Sequence, residues 1–165
     1  MRLFTVLALI TGAITMTFAQ PSSKQVFPGA NPAMPFSAAV KADGLIYVSG
    51  TLGSGGDVKA QTKQVLDNIS ATLKTAGSSL ANAASVTVYL RNQSDFAAMN
   101  EVYRGYWTKD PPARTTVMVP LLNEGLVEIA VVAVPDGGNR VVINTRGIGW
   151  PASPRRRVPT VSRGS

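Results

Sequence analysis

The sequence contains no cysteine and no histidine. Disulfides, thiol chemistry, Ser-His-Asp and Cys-His catalysis and the usual zinc sites are excluded together, since each depends on one of those side chains. Whatever chemistry the chain performs must use carboxylates, arginine, lysine, hydroxyls or backbone groups. A net charge on the body of the chain is missing too. The formal charge of +7 comes from Arg2 and six arginines beyond residue 139, whereas residues 20 to 139 hold nine Lys/Arg against nine Asp/Glu. The basic balance is therefore a property of the ends and does not argue for a basic nucleic-acid groove on the fold. The glycine-rich stretch 50–56 lacks the Gly-Lys-Ser/Thr ending of a phosphate loop, so it is expected to serve as a flexible rim.

What is present, in 165 residues at 45% hydrophobic composition, is enough for one ordinary domain with tails. Met1-Arg2, the uncharged stretch from Leu3 to Phe18 and Ala19 have the layout of a secretory signal peptide spanning residues 1–19. Export to the periplasm or the exterior is expected, with the segment either cleaved or retained as an anchor. Residues 20–35, rich in Pro, Ser, Gly and Asn, read as a leader, and residues 36–136 as the domain. Residues 137–165, with Pro, Ser and the run Arg155-Arg156-Arg157, have the composition of a disordered basic tail. Any contact with nucleic acid or membrane is expected through that tail alone.

Within the domain, Phe36 to Lys41 and Leu45 to Ser49 flank the turn signal Ala42-Asp43-Gly44 and predict a hairpin. From Asp57 the period becomes helical, with Val58, Val65, Ile69, Leu73 and Ala76 on one side and Gly77 as the stop. Ser85 to Leu90 is a third strand. A second helix carries the stripe Phe96, Met99, Val102/Tyr103 and Tyr106, expected to pack on the sheet, and ends at Asp110-Pro111-Pro112. The order β-β-α-β-α-β-β implies an α+β fold, a mixed β-sheet with two helices on one face. The last strand, Leu126 to Val134, is apolar at nearly every position, so the opposite face needs cover from outside the chain.

Two ionisable residues stand out in the last two strands. Glu128 lies inside the apolar run, where a carboxylate needs a partner or a task, and Arg114, at the mouth of the preceding strand, is the nearest candidate partner. The bland reading is a structural ion pair between strands or subunits. The functional reading is a site in which the guanidinium grips a substrate carboxylate and Glu128 orders a water.

Pro112-Ala113-Arg114-Thr115-Thr116-Val117 followed by Leu126-Val127-Glu128-Ile129 resembles the signature of the RidA/YjgF reactive-intermediate deaminase family. Pro35 to Val40, Gly44 to Gly50, Gln64 to Asn68 and Asp95 to Tyr103 resemble it in the same order. The resemblance implies a homotrimer of the chorismate-mutase-like fold, with sites at subunit boundaries. It also implies hydrolysis of 2-imino or enamine acids to 2-oxo acids and ammonium without metal or organic cofactor. By the same resemblance Arg114 would hold the substrate carboxylate and Glu128 would orient water. Backbone groups of Gly50 and Thr116 would face the imine or the water, Ser49 and Phe36 would line the cleft, and Asn100 would stand at the matching helical position. Phe36 stands where the family often has Tyr, and Thr116 where Cys is common. The alternatives are a non-catalytic member that binds small carboxylates in the cell envelope, and a ribonuclease, which the neutral body and absent histidine do not support.

Overall fold

The computed structural model describes residues 23–137. The expected signal segment and most of the basic tail lie outside these residues. Six strands, β1 (Gln25–Phe27), β2 (Ala39–Ala42), β3 (Leu45–Leu52), β4 (Ala83–Leu90), β5 (Ala113–Met118) and β6 (Val127–Ala133), form one sheet in the order β1-β2-β3-β6-β4-β5. The helices α1 (Val58–Thr75) and α2 (Phe96–Tyr106) follow β3 and β4. All pairings are antiparallel except β4 with β5, which are parallel and joined through α2. The α+β mixed sheet with two helices is as expected, with one addition. Gln25–Phe27, within the stretch read as leader, pairs with β2 and half-buries Phe27 against the core.

The hairpin between β2 and β3 turns on Asp43 and Gly44, both with positive φ, the geometry that suits a two-residue connection to the right-handed twist of the strands. Asp57 caps α1 by accepting from the Ala60 amide at 2.9 Å. The predicted stripe Val58, Val65, Ile69, Leu73 and Ala76 is buried at every position, joined by Leu66. On α2, Met99 and Tyr103 are buried while Phe96 stays largely exposed. Trp107, just past the helix, stacks on Tyr103 with ring centroids 4.5 Å apart and donates its indole N–H to the Leu80 carbonyl at 2.8 Å.

Burial along β6 alternates. Val127, Ile129, Val131 and Ala133 are buried under the helices, and Glu128, Ala130 and Val132 are half-buried on the other face. Among the described residues no layer packs on that face, which also carries Val40, Tyr47, Tyr89 and Val117 by register. The continuous apolar run therefore reflects one covered face and one apolar but open face.

Candidate active site

The site residues fall into two groups on opposite faces of the sheet. Glu128 leads the first. Its neighbours Val127 and Ile129 point under the helices, so strand alternation sends its carboxylate to the open face. There it meets an irregularity in β3: Val48 pairs with Val131 and Thr51 with Ile129, so Ser49 and Gly50 together oppose Ala130. This bulge turns the β3 backbone at Gly50 toward Glu128. A Cβ on Gly50 would lie 3.1 Å from the Glu128 carboxyl carbon and collide with its Oε1. The glycine is thus what leaves room for the carboxylate.

Around Glu128 a cleft of about 370 Å³ is lined by Met34, Phe36, Ser49, Gly50, Leu52, Leu122 and Asn123. The Ser49 hydroxyl donates to the Ser37 carbonyl at 2.7 Å and the Ser49 amide to the Ala38 carbonyl at 3.0 Å, which ties the segment bearing Phe36 to β3. Phe36 is 54% exposed at the mouth. The structure brings Phe36, Ser49, Gly50 and Glu128 together.

Arg114, Asn100 and Thr116 belong elsewhere. Arg114 pairs in register with buried Val86 and so lies on the helix side of the edge strand β5. Its guanidinium carbon sits 4.6 Å from the ring centroid of Tyr103 and 5.9 Å from that of Phe96, a cation–π arrangement at the sheet edge. With Asn100, Tyr103, Trp107, Pro111 and Pro112 it lines a second cleft of about 380 Å³. Thr116, two residues along β5, shares its face and is half-buried.

The expected pairing of Arg114 with Glu128 does not form within the chain. Neither residue takes part in the ion pairs Lys59–Glu101 and Lys63–Asp67, both of which lie on the helices. The physical reason is the alternation of β6: Glu128 is only half-buried on an open face, where solvent can serve it in place of a charged partner, while the Arg114 guanidinium sits over the Tyr103 ring on the other side of the sheet. Burial raises the Tyr103 phenol from its ordinary 10.0 to about 12, opposed by the nearby charge of Arg114. The Tyr103 hydroxyl is buried without a hydrogen-bond partner. No group of three or more acidic side chains among the described residues is arranged to hold a metal ion.

Two residues that shape the first cleft have no place in the motif reading. Gln61 is buried in α1, receives the Leu126 amide on its Oε1 at 2.7 Å and donates to the Glu124 carbonyl at 3.4 Å. Its spacing of three from Val58 on the apolar stripe was the available signal, since a glutamine there must satisfy its amide inside the fold. Arg91, just after β4, donates to the carbonyls of Leu121 and Asn123. Both residues tie down the loop between β5 and β6. Nothing local in the sequence marks Arg91.

Residues 28–135 match the family model described as Endoribonuclease L-PSP. A RutC family protein of Pyrococcus horikoshii is 42% identical over 111 residues, covering 62% of this chain and 88% of that protein. Among solved structures, a YjgF family member from Neisseria meningitidis is 34% identical with a TM-score of 0.65, covering 70% of this chain and 98% of that one. A Rid family protein from Yersinia pestis is 32% identical with a TM-score of 0.63, covering 68% and 99%.

Proposed function

The chain belongs to the endoribonuclease L-PSP family, the YjgF/Rid group, and from that membership and the geometry we propose that it hydrolyses 2-imino and enamine acids to 2-oxo acids and ammonium. The observation that carries this reading is Glu128: a carboxylate in a cleft, seated against the backbone of Gly50, with neither an ion pair nor a hydrogen bond spent on it among the described residues. A carboxylate so placed is available to orient a water and take its proton.

In the proposed reaction the water oxygen bonds to C2 of the protonated imine as the C=N π pair moves to nitrogen. Glu128 receives the proton lost by the water. It returns that proton to the amine; the C–N bond then breaks with its electron pair leaving on ammonia, while the C2 hydroxyl gives up its proton by way of Glu128 to the departing ammonia, so that the products are the 2-oxo acid and ammonium. The substrate is already electrophilic, so positioning and one general base supply most of the needed acceleration. Arg114, an exposed residue that makes no ion pair among the described residues, supplies the bidentate grip on the substrate carboxylate.

Because Arg114 and Glu128 lie on opposite faces, the grip and the base meet when one copy presents its β5 edge to the open face of the next. We therefore take the working form to be a homotrimer, with Arg114, Asn100 and Thr116 of one copy completing the Glu128 cleft of another. The open face carrying Tyr47, Val132 and Val117 supplies the apolar surface for such an assembly. The ribonuclease reading lacks support from charge: the nine basic residues among 23–137 are matched by nine acidic ones. The test generates imines with an amino-acid oxidase in the presence of semicarbazide. Suppression of semicarbazone formation by this protein supports the assignment, and an unchanged yield at stoichiometric protein refutes it.

A further inference from the structure

The cleft around Glu128 is built for more than the reacting head of an imino acid. In the single chain it measures about 370 Å³ and extends past Glu128 along an apolar wall, room beyond that needed by the carboxylate and imine of a substrate. The walls are Met34, Phe36, Leu52 and Leu122, and Glu128 is the one ionisable group among the lining residues. With Arg114 of the neighbouring copy engaged by the substrate's own carboxylate, an acidic side chain would find no further cation among the lining residues and would face Glu128. A long apolar one would find contact on several sides.

Leu122 is the unusual member. It is 75% exposed, the most exposed large apolar residue among the described ones, yet it sits on a tightly held loop. Arg91 donates to the carbonyls on both sides of it, Leu121 at 2.9 Å and Asn123. The Arg91 amide donates to the Leu126 carbonyl at 3.0 Å, Gly125 closes back on the Leu122 carbonyl at 3.2 Å, and Gln61 holds Glu124 and Leu126 from below. A loop with this many ties presents Leu122, its most exposed apolar side chain, in a defined place at the rim of the cleft.

We propose that Leu122, with Met34 and Phe36, selects 2-imino acids whose side chain is apolar and several carbons long, and that Arg91 is the positioning residue that holds Leu122 for this purpose. The selection rests on the imine-hydrolase reading of the same cleft, but its test does not require turnover. Calorimetry on the full chain with pyruvate, 4-methyl-2-oxopentanoate and 2-oxoglutarate reads the preference from the product side. The branched acid is expected to bind at least about tenfold more tightly than pyruvate, in keeping with the discrimination an apolar pocket gives, and 2-oxoglutarate most weakly. Leu122→Ala should bring the branched-to-pyruvate ratio close to one. Arg91→Ala should lower it as well, and the double variant should be no lower than Leu122→Ala alone, because Arg91 acts through Leu122.

Equal affinities for the three acids, tightest binding of 2-oxoglutarate, or a ratio untouched by Leu122→Ala would each overturn the selection. Fully additive losses in the double variant would remove Arg91 from it. Dissociation of Leu122→Ala by light scattering would make Leu122 an interface residue instead. No binding of any oxo acid would overturn the selection along with the carboxylate site, whereas selective binding without imine turnover would uphold it and reject hydrolysis alone.

Discussion

The carboxylate of Glu128 occupies the space that a side chain at position 50 would fill. Gly50 is therefore matched to Glu128 by shape as well as by its backbone groups. Gly50→Ala should force the carboxylate to move by about an ångström and lower turnover roughly 10²-fold, the scale of loss that such a displacement brings. Far-UV circular dichroism should stay native while the semicarbazone assay reports the loss; full activity would show that Glu128 has another place to work.

Glu128→Gln keeps the shape and can still hydrogen-bond a water, but it cannot take the water's proton. Turnover should fall about 10²- to 10⁴-fold, while oxo-acid binding stays within a few-fold of the parent. If the substitution chiefly unfolds the protein or breaks its assembly, a structural role for Glu128 is the better account.

Arg114→Ala should abolish binding of the substrate carboxylate, and Arg114→Lys should restore little. An ammonium cannot fork onto a carboxylate and lacks the planar group that sits 4.6 Å from the Tyr103 ring centroid. The arrangement across copies makes a sharper test. Arg114→Ala and Glu128→Gln chains, each inactive alone, should regain activity when unfolded together and refolded at equal amounts, since roughly a quarter of the interfaces then join an intact arginine to an intact glutamate. No recovery in verified mixed oligomers would place both residues in one chain's site.

The phenol of Tyr103 is held at about 12, above its ordinary 10.0, chiefly by burial. Tyr106 is also raised to about 12, by burial and then by the hydrogen bond its hydroxyl makes to Asp67. For both, the folded state keeps a proton that the unfolded chain has released, so their contribution to stability is complete below pH 10 and is lost as pH rises toward 12. The urea midpoint should therefore fall between pH 9.5 and 11.5. Tyr103→Phe should flatten that fall and cost little at pH 7, because its hydroxyl has no hydrogen-bond partner to lose. A large loss at neutral pH would show that the hydroxyl is bonded in the working assembly.

Gln61→Leu removes the acceptor of the Leu126 amide and the donor to the Glu124 carbonyl in a buried place. A loss of about 1–3 kcal/mol is expected from the unpaired amide, read by denaturant titration. A neutral effect would mean that the loop finds its bonds elsewhere.

Much of the order of elements is legible in the sequence. The 3.6-residue spacing of Val58, Val65, Ile69 and Leu73 defines α1 and its buried side, Asp43-Gly44 defines the first hairpin, and the motifs around Arg114 and Glu128 single out the pair that matters. These features are local, since periodicity and turn chemistry act within a few residues. Tertiary structure alone decided where the pair points. The strand period says that Glu128 and Ile129 face opposite ways but not which side the helices cover, and β5 receives its face only through its register with β4. The two-for-one bulge at Ser49-Gly50, the aromatic bed under Arg114 and the Arg91 clamp on the Leu122 loop all join residues on different elements, more than ten positions apart in sequence. No local pattern encodes them, because each exists only once the sheet has chosen its register and the helices their face.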